Sequence, residues 1–273
     1  MKKIILCFAL MFVTSFLFAE DIVIKRVTVD SFNSIEVSSA FEITVIKSHT
    51  RSVEIEISES VEEYLVAREN GDTFELYLEN VPNRKMTSDV IMRAVIKTPE
   101  LEGVDLSGAV DAVFKGDFKS ADFELDLSGA TKMEGLSVEA LTGDIECSGA
   151  SRMSESSFKI GKLDLDCSGA SKLSFSADIE ELNADISGAT ALSVKGEGEH
   201  LEISLSGASK VNFSEFVSDV VYLECSGASS ISVNPLKNLN VEASGASVVK
   251  YKKSVGLIIG DIDASGAASI KSY

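Results

Sequence analysis

The sequence predicts an all-β protein folded as a right-handed parallel β-helix, a solenoid of about nine regular turns with an irregular β-rich cap at its N-terminal end. Two patterns indicate this fold. The tripeptide Ser-Gly-Ala occurs nine times at intervals of 18 to 21 residues. The residues before each copy alternate between apolar and polar side chains, as in a strand with one buried face. Units of this length cannot bury their own apolar faces, so we expect them to stack on one another.

Residues 1–19 have the pattern of a secretory signal peptide. Lys2 and Lys3 form a basic start, the run from Ile4 to Phe18 is almost wholly apolar, and the small residue Ala19 precedes two acids. The run is shorter than the ~20 residues of a membrane span. We therefore expect cleavage after Ala19 and export to the periplasm, the outer surface or the extracellular space. The mature chain is then not membrane-spanning, and an uncleaved anchor is the alternative.

Residues 20–100 are predicted to form an N-terminal β-rich cap with early degenerate turns. Residues 35–40 repeat the frame of the later motif, with Ser39 in place of its glycine. An Asn-Gly turn signal at residues 70–71 separates two alternating segments. The segment from Glu62 to Arg68 is expected to form one or two helical turns. Solenoids need atypical terminal units, which is the role we assign to this region.

Residues 101–273 are predicted to form the Ser-Gly-Ala repeats. In each repeat an apolar–polar–apolar triplet such as Leu165-Asp166-Cys167 precedes the tripeptide and should place its outer members in the core. Glycine then permits a bend at positive φ, and the alanine is expected to point inward. Each repeat should contain two or three short strands joined by tight corners. The predicted corner glycines are Gly108, Gly129, Gly149, Gly169, Gly188, Gly207, Gly227, Gly245 and Gly266.

Four segments resemble a known family. The frames Ser31–Val37 and Phe41–Val45 are similar to the opening of the head GIN domain family of putative auto-transporter adhesins, and so is Ile96–Leu101 leading into Asp105–Ala109. The similarity covers roughly residues 26–270. It implies a secreted or surface-exposed bacterial β-helix protein with an adhesin-like or structural envelope role and no enzyme activity.

The polar residue before each tripeptide is acidic in eight of the nine repeats. Stacked carboxylates about 4.8 Å apart repel one another, so bridging by Ca²⁺ is one hypothesis. The other is a solvated face that is partly neutralised by basic residues beyond the corner, namely Lys132, Arg152, Lys172 and Lys210. The candidate metal ligands are Asp105, Asp126, Glu146, Asp166 and Asp185. No other cofactor is expected.

Cysteine and hydroxyl residues also recur at fixed places. Cys147, Cys167 and Cys225 occupy inward positions and are expected to be buried free thiols rather than a disulfide. A hydroxyl residue recurs just after Ser-Gly-Ala. These residues form either a ladder of hydrogen bonds at the corners or an exposed array that binds ice or glycans. The tripeptide serines are interpreted as a hydrogen-bonding ladder, because the two histidines cannot activate nine nucleophiles.

The net negative charge of the chain limits the kinds of molecule that it can bind. The net charge is −18, and loss of the two signal-peptide lysines makes it −20, which argues against nucleic-acid binding. An unknown surface ligand, either glycan or protein, is expected, with end-to-end pairing of copies as a further hypothesis. The alternatives are a carbohydrate- or calcium-binding module and a polysaccharide lyase. The lyase is disfavoured because the repeats contain one arginine and the chain has no tryptophan.

Overall fold

A computed structural model describes residues 21–273, and the predicted signal peptide at residues 1–19 lies outside them. The described chain is all-β, and its strands join into one sheet that coils into a solenoid of about eight turns. The predicted solenoid is confirmed, whereas its right-handed coil and the count of nine turns stay predictions. Neither helical segment of the described chain is long and apolar enough to cross a membrane.

Seven strands form the N-terminal block, and fourteen form the repeats. The block contains β1 (Ile22–Val27), β2 (Ser34–Val37), β3 (Glu42–Lys47), β4 (Ser52–Ser58), helix α1 (Glu59–Glu62), β5 (Leu65–Asn70), β6 (Thr73–Leu78), a 3₁₀ turn (Asn83–Lys85) and β7 (Met92–Thr98). The repeats contain β8 (Gly103–Leu106), β9 (Asp111–Lys115), β10 (Asp117–Lys119), β11 (Asp122–Leu127), β12 (Lys132–Glu134), β13 (Ser137–Cys147), β14 (Arg152–Cys167), β15 (Lys172–Ile186), β16 (Ala191–Leu205), β17 (Lys210–Cys225), β18 (Ser230–Ala243), β19 (Val248–Tyr251), β20 (Ile258–Ala264) and β21 (Ser269–Ser272).

Successive turns stack in register, so equivalent residues form columns along the solenoid. Leu165 of β14 pairs with Ile145 of β13 on one side and with Ala184 of β15 on the other. All three side chains are buried. The alternating pattern read from the sequence therefore places one continuous apolar core inside the coil.

The N-terminal block closes one end of the stack. β2 lies between β6 and β8, and β3 lies between β7 and β9, all with parallel pairing. Residues 34–47 thus form a first turn, and residues 48–102 make an excursion before the chain returns to stack on it. β4 and β1 extend the sheet beyond β7 with antiparallel pairing. The inward residues of β4, which are Val53, Ile55 and Ile57, are buried.

The segment from Glu62 to Arg68 does not form the predicted helical turns. Helix α1 ends at Glu62, and β5 begins at Leu65 and pairs antiparallel with β6. The turn between β5 and β6 is the predicted Asn-Gly pair, with Gly71 at φ +61°. Pairing with β6 gives β5 a full ladder of hydrogen bonds, whereas an isolated helical turn is unstable because helix nucleation is unfavourable.

Two details of the repeats also differ from the predictions. Strands β14 to β18 run for 14 to 16 residues, so the Ser-Gly-Ala corner alone interrupts them. The alanine of the tripeptide faces solvent rather than the core. Ala150, for example, is exposed, and the next residue, Ser151, is buried instead.

Candidate functional site

The Ser-Gly-Ala corners stack into a column of glycines along one edge of the solenoid. Their φ angles lie between +69° and +79°, a region that residues with a Cβ rarely adopt. A Cβ on Gly169 would lie 2.4 Å from the carbonyl oxygen of Gly149 in the preceding turn. The Ala170 N–H donates to that same oxygen at 2.7 Å. Glycine is therefore needed both for the bend and for the close approach of successive turns.

Ser39 takes the glycine position in the first turn. Its φ is +78°, and its carbonyl oxygen accepts a hydrogen bond from the Ala109 N–H at 2.7 Å. The Cβ of each column residue points toward the preceding turn, and for Ser39 that neighbour is β6. There the Ser39 Oγ accepts a hydrogen bond from the Leu78 N–H at 3.1 Å. A side chain fits at this level because it supplies an acceptor to the N-terminal block.

The hydroxyl residues that follow the corners are buried, and all of them except Ser229 form a hydrogen bond at the corner. The Oγ of Ser151 donates to the carbonyl oxygen of Ser148 at 2.7 Å, and Thr190 and Ser247 make the equivalent bond three residues back. These hydroxyls therefore close the corner and do not present a surface array to ice or glycans. The buried members are Thr131, Ser151, Ser171, Thr190, Ser209, Ser229 and Ser247.

A surface of stacked carboxylates lies on the strands that lead into the corners. The first column contains the predicted residues, which follow one another in register between β8 and β15. A second column, two residues earlier in each strand, adds three carboxylates that our sequence analysis missed. Extending the alternation by one more step would have found them. We define the acidic face as Asp105, Asp126, Glu146, Asp166 and Asp185 together with Glu124, Asp144 and Asp164.

The first column borders a long groove. The groove has a volume of about 730 Å³ and runs from Asp105 to Asp263, with the tripeptide serines along its other wall. Two other concave regions of the described chain, of about 350 and 360 Å³, lie elsewhere on the solenoid. The acidic face therefore accompanies the largest of these three concave surfaces.

Three carboxyl groups of this face have a raised pKa, owing first to partial burial and then to repulsion from neighbouring carboxylates. Partial burial, followed by repulsion from Asp126 and Glu36, raises the pKa of Asp105 above its usual value of 3.8. Partial burial also raises the pKa of Asp126 and of Asp144, with further repulsion from the carboxylates beside them. These groups therefore hold their protons more tightly than isolated carboxyls and gain from a nearby cation.

The acidic face is not neutralised by basic side chains. Among the ion pairs of residues 21–273, none includes a carboxylate of the acidic face. Lys132, one of the predicted partners, lies across the corner and pairs instead with Asp111 at 2.9 Å. Asn183 continues the second column and donates to Asp164 at 2.8 Å.

Calcium binding stays a prediction. Within the part of the chain that the structure describes, no group of three or more His, Cys, Asp or Glu side chains is placed to hold a metal ion. The stacked columns instead offer pairs of carboxylates from adjacent turns. A cation between them would complete its coordination with water or with ligand oxygens.

Tyr222 is a functional candidate that sequence analysis did not single out. It continues the second column, between Glu202 and Asn240 in the neighbouring turns, and it is 50% exposed. An exposed tyrosine beside carboxylates and amides can stack on a sugar ring and also form hydrogen bonds. Its signal in the sequence was an aromatic residue at an outward position of the repeat.

The three described cysteines are buried free thiols. Cys147 and Cys167 pair across adjacent turns, and the hydrogen bond between the two thiols, together with burial, raises the pKa of Cys167 far above its usual range. Burial raises the pKa of Cys225 to about 12. These thiols act as core residues and form no part of a reactive site.

Comparison with known proteins gives one family and several similar folds. The chain matches the family described as "Putative auto-transporter adhesin, head GIN domain" over residues 31–157 and 141–254. No curated protein matches it. The crystal structure of a putative adhesin from Parabacteroides merdae has a TM-score of 0.69 at 15% identity, covering 92% of this chain and 96% of that one.

Two structures from Parabacteroides distasonis have similar folds. One, described as a putative lipid binding protein, has a TM-score of 0.65 at 14% identity and covers 93% of this chain and 97% of its own. The other, a putative adhesin, has a TM-score of 0.64 at 14% identity and covers 93% and 98%. At these identities the likeness concerns the fold.

Proposed function

Since the chain belongs to the head GIN domain family of putative auto-transporter adhesins, we propose that it is an exported, adhesin-like and non-enzymatic solenoid that binds a surface ligand through the acidic face. The family supports a secreted or surface location and an adhesin-like role. The observation that carries the binding surface is the groove of about 730 Å³ beside carboxylates without basic partners.

The repetition of the acidic face suits a repetitive ligand. Eight of the nine repeats present an equivalent carboxylate, and successive turns of a sheet lie about 4.8 Å apart. A polymer such as a glycan would meet similar groups along the groove, so weak contacts would add up to useful avidity. Tyr222 supplies a place for stacking at the same surface.

The proposal is tested with two matched variants on a glycan array. The face variant carries Asp126→Asn, Asp144→Asn and Asp166→Asn. The control variant makes the same charge change on a different side of the solenoid, at three exposed carboxylates without ion-pair partners: Asp117→Asn, Asp178→Asn and Glu197→Gln. We expect the control to bind the same glycans as the unaltered protein and the face variant to lose them.

Two results would contradict this proposal. Equal binding by both variants would place the ligand elsewhere on the molecule, and equal loss would indicate a response to net charge alone. Non-enzymatic status is tested separately, by incubation with uronic-acid polysaccharides. Release of unsaturated sugars that absorb ultraviolet light would show a lyase instead.

Calcium is the second candidate ligand, and the stacking of carboxylates in register favours it. Asp126 and Glu146 lie in register on adjacent turns, as do Glu146 and Asp166, so one Ca²⁺ ion can take a carboxylate from each of two turns. Sites with so few protein ligands should bind weakly, with Kd on the order of 10⁻⁴ to 10⁻³ M. Calorimetric titration of Ca²⁺ into chelator-treated protein measures this. Neither heat nor a shift in melting temperature would refute calcium binding.

A further inference from the structure

The C-terminal end of the solenoid leaves core side chains uncovered. Ile262 of β20 continues the column of Val241, which is 1% exposed, yet Ile262 is 42% exposed. Ile259 continues the column of the buried Leu239 and is 40% exposed. Among residues 21–273, no strand pairs with the outer sides of β20 and β21. This end is therefore an apolar surface bordered by two free strand edges, which favours association.

The other end of the solenoid is closed. The inward side chains of the first turn, such as Ile35, Val37 and Ile43, are buried under the N-terminal block. A second copy cannot continue the core by stacking its open end on that block. Two open ends, in contrast, can cover each other.

The open end has opposite charges on the two sides of its corner. β20 carries the exposed residues Asp261 and Asp263, and β21 carries the exposed Lys271. Lys271 also lies over Lys250 of β19, which strengthens the basic side. A partner that matches this end must therefore be basic opposite β20 and acidic opposite β21.

We propose that two copies of the chain pair through their open ends about a two-fold axis at the Gly266 corner. Such an axis lays β20 of one protomer antiparallel to β21 of its partner, and the same contact occurs twice because the interface is isologous. The acidic side of each copy then lies opposite the basic side of the other. The second copy is the occupant that this end matches in shape, polarity and charge.

This symmetry fixes which residues meet. With the axis at Gly266, Ile262 lies opposite the partner's Ile270 in the core. At the surface, Asp261 lies opposite the partner's Lys271. The pairing covers the free edges of β20 and β21 and leaves an N-terminal block at each outer end, so the assembly is expected to stop at a dimer.

Light scattering over a wide concentration range tests the dimer. We expect the mass of the purified protein to rise to twice that of the protomer and to stay there. Ile262→Lys should raise the dimer dissociation constant at least about tenfold. The control Val95→Lys alters a residue of similar exposure, 39%, on the N-terminal block and should leave the dimer intact. A protomer mass throughout, or a mass that keeps rising past the dimer, would overturn the proposal.

Charge reversal tests the two-fold geometry and does not depend on the folding of one variant. Lys271→Glu places two acids opposite each other in both contacts, and Asp261→Lys places two bases there. Each variant alone should remain a protomer. An equimolar mixture should form dimers, because each acid then faces a base in both contacts. A mixture that stays monomeric, while the unaltered protein dimerises, would refute this register.

Discussion

Replacing one stacked glycine by alanine should destabilise the solenoid by more than the backbone conformation alone explains. Gly169 has φ +79°, and a Cβ there would lie 2.4 Å from the Gly149 carbonyl oxygen. Ordinary contact begins at 3.4 Å, so the two turns would have to separate by about 1 Å. The hydrogen bond from the Ala170 N–H to that oxygen, now 2.7 Å long, would then be lost.

The cost can be divided into two parts. Holding alanine at positive φ costs about 1–2 kcal/mol. Losing one or two ladder hydrogen bonds adds about 1 kcal/mol for each. Gly169→Ala should therefore lower the free energy of unfolding by about 2–4 kcal/mol.

Gly71→Ala is the matched control. Gly71 also has positive φ, at +61°, but a Cβ there meets nothing within 4 Å. The loss of unfolding free energy in Gly71→Ala should be limited to the conformational part. Alanine also lowers the entropy of the unfolded chain, and this stabilising effect is the same in both variants. The measurement is urea unfolding followed by far-ultraviolet circular dichroism. If Gly169→Ala costs no more than Gly71→Ala, close stacking is not what requires glycine at the corners.

Two further predictions concern the acidic face and the thiols. Because burial and the Asp144 carboxylate raise the pKa of Asp126 above 3.8, its contribution to stability is present below pH 3.8 and is lost as the pH rises through the raised pKa. Asp126→Asn should thus raise the melting temperature at pH 7 and leave it unchanged at pH 3; a rise of equal size at both would contradict the repulsion. Thiol titration without reductant should detect no reactive thiol in the folded mature protein and three after denaturation, at Cys147, Cys167 and Cys225, whereas a single thiol would reveal a disulfide.

The repeat made most of the fold predictable, because its period fixed both the stacking and the inward columns. The predicted orientation of the corner alanine was wrong, because the sequence pattern could not show that Ala150 faces solvent and that Ser151 is the buried residue. Helical turns were predicted from Glu62 to Arg68 because local preference was weighed without the pairing of β5 with β6 across the Asn-Gly turn. Five of the eight carboxylates of the acidic face were predicted. The other three form the second column, which lies outside the three residues next to each tripeptide on which the prediction rested.

The N-terminal block was least accessible to sequence reasoning. Ile35 pairs with Val104 across the excursion of residues 48–102. No local sequence pattern predicts a contact between residues so far apart in the chain. Ser39 showed that an early corner exists there. The sequence did not show that the Ser39 hydroxyl accepts a hydrogen bond from the Leu78 N–H, because it did not show that β6 is the strand next to this corner.

Residues 48–102 also set the order in which a chain emerging from its N-terminus can fold. Ile35 pairs first with Phe74 and later in the chain with Val104, and the pairing with Val104 closes a longer loop than that of Cys147 with Cys167. Closing the longer loop costs about 1 kcal/mol more in chain entropy, and that cost arises once. Every later turn is added to a finished template, one repeat at a time. A partly folded chain therefore ends in an uncovered apolar face like the one at β20 and β21, and it shares the tendency of that face to associate.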